Sequence, residues 1–233
     1  MEEKHYKIRE DLSIKFKDRT LYRIEALVDL PQHNVKKGDL GGYVESYDNL
    51  DNNAWVFDGA KVFGNAKVFG NAKVGGAAWV YGDATVYGYA SVFGDAQVFG
   101  NAGVYGNAQV FGDARVFDNA EVFDYAKVYG DAKVVGYSEV CGHARMYGNA
   151  EVFGCGKVAK GDIKKPGDVK NITGEKYKIT ILPNHIQIGC QVYTKEEWWN
   201  FDDREILEMD GKEGLKWWKK WKPILMAICN TEE

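Results

Sequence analysis

Four histidines (His5, His33, His143, His185) and four cysteines (Cys141, Cys155, Cys190, Cys229) are the side chains best suited to acid–base, nucleophilic or metal chemistry. Their spacing serves none of these well. No two cysteines form a C-x-x-C pair and the histidines are scattered, so no zinc site or redox motif is written here. Reduced thiols are expected, with no metal and no cofactor. His185 and Cys190 are near enough for an imidazole–thiolate pair, but no third residue can be identified to orient them. His143 could act as a base, or could simply be a surface histidine at a corner. Asp95, Asp113 and Asp131 recur every eighteen residues and could share a cation, although Asp is also an ordinary turn residue. His185, Gln187, Trp198 and Trp199 form a second candidate site, with Cys190, Gln191, Trp217 and Trp218 beside them. Indoles beside polar groups can stack on a base or sugar, or can fill the core of a small cap.

The eighteen-residue recurrence has a cause. From Gly42 to Gly161 the chain repeats the phrase A-x-V-[F/Y]-G-[N/D] twenty times without an insertion. Its Val slot starts at Val44 and holds Val in 18 of the 20 copies, with Leu50 and Met146 as the substitutes. Ala and Val are two residues apart, so an extended segment puts them on one face and the variable and aromatic slots on the other. The variable slot carries charges such as Lys61, Arg115, Glu121 and Lys157, which a dry interior would not accept. Ala and Val therefore point inward. Gly followed by Asn or Asp supplies a corner. Short strand, corner and period of six define a prism-like parallel coil with three phrases per turn. Twenty phrases make six to seven coils.

The outward aromatic slot holds Phe or Tyr in 14 of the 20 phrases, which such a coil does not require. Either each ring lies across a corner glycine and covers backbone, or the rings form a contact surface. One face is barest of charge. There Thr85 and Gly103 fill variable slots beside Tyr87 and Tyr105, so another prism or a flat ligand could approach. A corner column runs Tyr89, Asn107, Tyr125, His143 and is a further candidate for binding.

Residues 1–41 are expected to be an N-terminal β cap, with strands at Tyr6–Ile8 and Leu21–Leu27. Residues 162–233 are expected to be a C-terminal α+β cap. Within it, Asp162–Asp168 reads as a linker and Pro183-Asn184 as the turn of a hairpin. Thr194 and Glu197 form a capping box, and a last helix starts near Lys212. Net charge is −4, from 30 basic and 34 acidic residues, with no segment basic enough to grip duplex nucleic acid. The N-terminus is too charged for a secretory signal and no apolar run approaches a membrane span. A cytoplasmic location is expected.

The aliphatic residue followed four positions later by a small one, as in Val56 and Ala60 or Val98 and Ala102, resembles the left-handed β-helix of the hexapeptide-transferase superfamily. The resemblance covers about half the chain and implies a mainly β fold: a left-handed parallel β-helix between two caps. Acyltransferases of that fold generally use a catalytic histidine and a loop extruded between coils. Here only His143 lies in the repeat, and no loop interrupts residues 42–161. The zinc-dependent carbonic anhydrases of the fold need three histidines per site, which this chain lacks. The run G-D-L-G-G-Y-V-E leading into the repeats looks like hexapeptide-repeat proteins of phages and prophages. Together these give the expected function: a non-enzymatic homo-oligomer, with a trimer favoured, that sequesters a host protein or a small nucleotide-like signalling molecule, in the host cytoplasm if the origin is viral. The alternatives are a trimeric acyltransferase using His143 and a purely structural or polymer-forming element.

Overall fold

The computed structural model describes residues 4–172 and 176–230. From Trp55 to Val158 each repeat forms a two-residue strand, variable residue plus Val or Met146, that stacks in parallel on strands about eighteen residues away. Gln97–Val98, for example, lies between Trp79–Val80 and Arg115–Val116. Three phrases complete a turn, and the rungs stack into three sheets around a common core. The result is a parallel β-solenoid of about seven turns. Every repeat Val, and nearly every repeat Ala, is fully buried. Burying one Val contributes roughly 1.5–3 kcal/mol, so the stacked columns supply most of the drive for folding. Corner glycines take positive φ, for example 70° at Gly64 and 72° at Gly112, and Asp118 and Asp124 take the same conformation in that slot.

The N-terminal segment extends one solenoid sheet downward. Strand β1 (Tyr6–Phe16) pairs antiparallel with β2 (Arg19–Ala26), and β2 with β3 (Leu40–Val44). β3 then pairs in parallel with Lys61–Val62, the next rung of its column. Gly41 and Gly42 allow that crossing: a Cβ on Gly41 would lie 2.5 Å from the Val56 carbonyl oxygen, and one on Gly42 2.6 Å from Val56 Cγ1.

Outside the two-residue rungs, backbone N–H groups donate to carbonyls of the coil above, as from Lys61 to Ala78 and from Gln97 to Ala114. These carbonyls of the lowest coil and these N–H groups of the highest therefore have no neighbouring coil. Side chains meet some of them at each end. At the bottom, His5 Nε2 bonds the Ala54 oxygen at 2.9 Å, His33 Nε2 the Asn53 oxygen at 2.6 Å, and the Tyr6 hydroxyl the Leu50 oxygen at 3.3 Å. At the top, the Thr180 hydroxyl accepts from the Lys157 N–H at 3.3 Å. Asn171 Nδ2 also donates there, to the Phe153 carbonyl at 2.9 Å, so side chains at both ends take up backbone groups that no further coil can pair.

The C-terminal segment departs from expectation in three places. Asp162–Ile163 is not linker. It pairs with Arg145–Met146 as a further rung, one residue short of the usual spacing, and Ile163 is fully buried. An apolar residue in the Val position outweighs the charges and proline around it. The expected hairpin, Ile179–Ile181 with His185–Ile188, is the middle of a four-stranded sheet completed by Lys170–Ile172 and Gln191–Thr194. Helix α1 (Lys195–Asn200) opens on the expected capping box. Helix α2 (Asp203–Asn230) begins before Lys212, but Asp210 and Gly211 are non-helical, so its second half does start there. Among the described residues, no helix is long and apolar enough to cross a membrane.

Candidate binding face

The eighteen-residue register that stacks Val on Val also stacks ring on ring. Phe63, Tyr81, Phe99 and Phe117 form one ladder, with centroids 4.9–5.0 Å apart and planes within 5°. Phe69, Tyr87, Tyr105 and Phe123 form a second at 4.8–5.1 Å. Phe111, Tyr129 and Tyr147 form a third. These separations match the distance between paired strands, so backbone pairing dictates the stacking. On the side where a Cβ would stand, the corner glycines meet not a ring but the corner backbone of the next coil: a Cβ on Gly82 would meet the Gly100 nitrogen at 3.0 Å. Away from the corners, Gly75 stands in an aromatic slot and lies under Phe93. The rings thus pack on one another and still present an edge outward, most of them half-buried.

The second ladder lies on the face with the small variable residues. Thr85 and Gly103 are register partners, and Tyr87 and Tyr105 stack at 4.8 Å beside them. Gly103 is covered by Tyr105, whose Cε1 would be 3.5 Å from an added Cβ. The Tyr105 hydroxyl donates to Glu121 Oε2 at 2.6 Å. Burial and then that bond push its pKa above the usual phenol range, so it stays a protonated donor. Charge returns only at the ends of the ladder, with Lys67 on one side and Glu121, Glu139 and Lys157 on the other. Lys157 pairs with Glu139 at 2.7 Å and lies over the Phe123 ring. Cys141 occupies the ladder's next place. It is buried, and burial raises its thiol pKa, which disfavours the thiolate.

The corner that follows these strands carries Tyr89, Asn107, Tyr125 and His143. Tyr89 is 66% exposed and Tyr125 57% exposed, and the Tyr125 and His143 rings stack at 5.2 Å. Seven sequence-predicted residues, Thr85, Tyr87, Tyr89, Gly103, Tyr105, Tyr125 and His143, are therefore brought to one face and its edge.

The other four are not. His185, Gln187, Trp198 and Trp199 lie in the C-terminal module. Trp198 is buried, donates from Nε1 to the Ile186 carbonyl at 2.7 Å and packs on Trp218. Trp199 lies parallel to Trp218 at 6.3 Å. Trp198 belongs to the module's core, and Trp199 is half-buried against it. His185 lies near Gly161, and Gln187 is buried, donating to the Gly189 carbonyl at 2.9 Å. None of the four cysteines is in a disulfide, and among the described residues no group of three or more His, Cys, Asp or Glu could hold a metal ion. Sequence reasoning singled out Trp217 but missed Tyr177, whose ring meets it edge-on, and Asp210, which accepts from the Tyr177 hydroxyl. The linear signal for that cluster is Gly211 inside a helical pattern.

No protein-family model matches the chain, and neither does any curated protein.

Proposed function

We propose that this chain is a non-enzymatic binding scaffold. It self-associates, as a trimer, through the face bearing Thr85, Tyr87, Gly103 and Tyr105, and holds a host protein or a flat nucleotide-like molecule against the corner of Tyr89, Tyr125 and His143. The observation that carries this reading is the Phe69–Tyr87–Tyr105–Phe123 ladder. Its edges face outward where the variable slots shrink to Thr85 and Gly103, leaving a flat, uncharged strip two coils long. Self-stacking uses the ring faces only. The edges remain free to bury apolar area against a second surface, and contiguous patches of this kind mark contact sites. A left-handed coil and a phage or prophage origin belong to the same reading and rest on the likeness of the hexads.

Sedimentation of the purified protein, with mass spectrometry of any small molecule it releases, tests the proposal. A discrete trimer carrying a nucleotide-like ligand supports it. A monomer that releases nothing and binds no host protein sinks it. Against the acyltransferase alternative, the His143 ring is stacked on Tyr125 at an exposed corner, with no carboxylate hydrogen-bonded to it among the described residues. An acyl-transfer activity that disappears in His143→Ala would reverse that preference.

A further inference from the structure

The second ladder sets two phenols face to face. Tyr87 and Tyr105 follow rungs that pair in register, Thr85–Val86 and Gly103–Val104, and their rings lie 4.8 Å apart with planes 8° from parallel. Phenylalanine closes the stack on each side, with Phe69 against Tyr87 and Phe123 against Tyr105. A phenol gives up one electron far more readily than a phenyl ring, so an oxidising equivalent that reaches this stack settles on the two tyrosines. Both rings are half-buried, within reach of a small oxidant in solution.

Loss of an electron makes a phenol strongly acidic, and its proton needs an acceptor. At Tyr105 the acceptor is in place: the hydroxyl donates to Glu121 Oε2 at 2.6 Å. Tyr129 and Tyr147 form a comparable pair on another face, with centroids 5.1 Å apart and planes 6° from parallel. The charge beside that pair has the opposite sign. Lys164 Nζ stands 5.7 Å from the centre of the Tyr147 ring and is hydrogen-bonded to its hydroxyl. An ammonium offers a proton instead of taking one, and it repels the positive charge that oxidation creates. Of these two pairs, the first is equipped for oxidation and the second against it.

We propose that Tyr87 and Tyr105 are a site of oxidative cross-linking, at which a high-potential one-electron oxidant joins the two rings into a dityrosine. Tyr105 gives an electron to the oxidant and its hydroxyl proton to Glu121. Tyr87 gives an electron to a second oxidising equivalent and its proton to water. The two phenoxyl radicals pair, forming one carbon–carbon bond between positions ortho to the hydroxyls. The two ring hydrogens at that bond then pass to the oxygens, which restores both phenols. The sum is a loss of two electrons and two protons. Backbone pairing already holds the rings one strand spacing apart, and rotation about side-chain bonds closes the remaining gap. The product staples neighbouring coils within one chain, whether or not this face also self-associates. Like a disulfide, it restricts the unfolded chain by closing a loop.

The full chain is photo-oxidised with ruthenium tris-bipyridyl and persulfate, and the products are read by dityrosine fluorescence and mass spectrometry. Cleavage at aspartate separates the two tyrosines at Asp95, so their link appears as joined peptides two hydrogens lighter than their sum. The Tyr87–Tyr105 link is expected to exceed the Tyr129–Tyr147 link several-fold and to raise the thermal midpoint. Tyr105→Phe keeps a ring in the stack and abolishes the link. Glu121→Gln keeps an acceptor without a base, so it lowers the Tyr87–Tyr105 yield several-fold and leaves the Tyr129–Tyr147 yield unchanged. Chain unfolded in urea loses the preference. The proposal is overturned if links form only between chains, or if no Tyr87–Tyr105 link forms while added free tyrosine is coupled in the same reaction. A Tyr129–Tyr147 yield as large, a preference that survives in urea, or an unchanged yield in folded Glu121→Gln also overturns it.

Discussion

His5 Nε2 donates to the carbonyl oxygen of Ala54 at 2.9 Å, so a side chain from outside the repeat takes the place of a coil that does not exist. His33 does the same for Asn53. The open end of a parallel solenoid leaves backbone groups unpaired, a template for another chain. These two imidazoles and Tyr6 close it.

A pH dependence of stability follows. Burial, partly opposed by the carbonyl bonds, holds both histidines below their usual pKa. The fold therefore favours the neutral imidazole, and the unfolded chain binds protons more readily. Stability is complete above the unfolded-state pKa of about 6.5 and is lost as the pH falls through the lower folded-state values. Thermal midpoints between about pH 8 and pH 5 should fall in the parent protein. They should fall less in His5→Gln and His33→Gln, where a carboxamide donates without titrating. Equal slopes in all three would show that other groups govern the acid limb.

The other end offers a matching test. Thr180→Val keeps the shape and removes the acceptor for the Lys157 N–H, together with the hydroxyl's bond to Asn171. A cost of about 1–3 kcal/mol in urea unfolding is expected for leaving buried polar groups unpaired. A change smaller than a few tenths would mean that this end is closed by apolar contact alone.

Gly75 and Phe93 should behave as one unit. A Cβ on Gly75 would lie 2.4 Å from Phe93 Cε1, so Gly75→Ala must displace the ring, costing about 1–3 kcal/mol. In a Phe93→Ala background the same substitution should be close to neutral, giving a non-additive cycle. Additive costs would rule out the ring as the obstacle.

On the ladder face, Gly103→Arg tests self-association. Its backbone φ is unexceptional, and an added Cβ makes only ordinary contact with Tyr105. Folding stability should therefore stay within about 0.5 kcal/mol. The charge set into the uncharged strip should convert trimer to monomer in analytical ultracentrifugation. An unaltered sedimentation profile, with the fold intact, would remove this face as the interface.

The solenoid was almost fully legible in the hexads. Two-residue alternation fixes which side chains face inward, and a glycine corner every six residues leaves a coil as the compact solution. The seven residues of the ladder face were legible for the same reason, since a regular coil turns spacing of eighteen into adjacency. The last rung was not, because Asp162–Ile163 arrives one residue early, and only its pairing with Arg145–Met146 reveals it.

Period and slot chemistry are local properties, and they prescribe the inward Val and Ala lattice, the corners and the direction of every aromatic ring. They do not say what those rings touch. Whether a ring lies on glycine or on another ring depends on coil-to-coil register, which fixed the stacks near 4.9 Å. The ends depend on tertiary contact as well. His5 and Ala54 are 49 residues apart, and nothing in the linear pattern pairs a histidine with a carbonyl at that distance. In the C-terminal module, helical spacing shows that the tryptophans share faces. Only the packing of a broken helix across a sheet leaves a cavity lined by Trp198, Trp217 and Trp218.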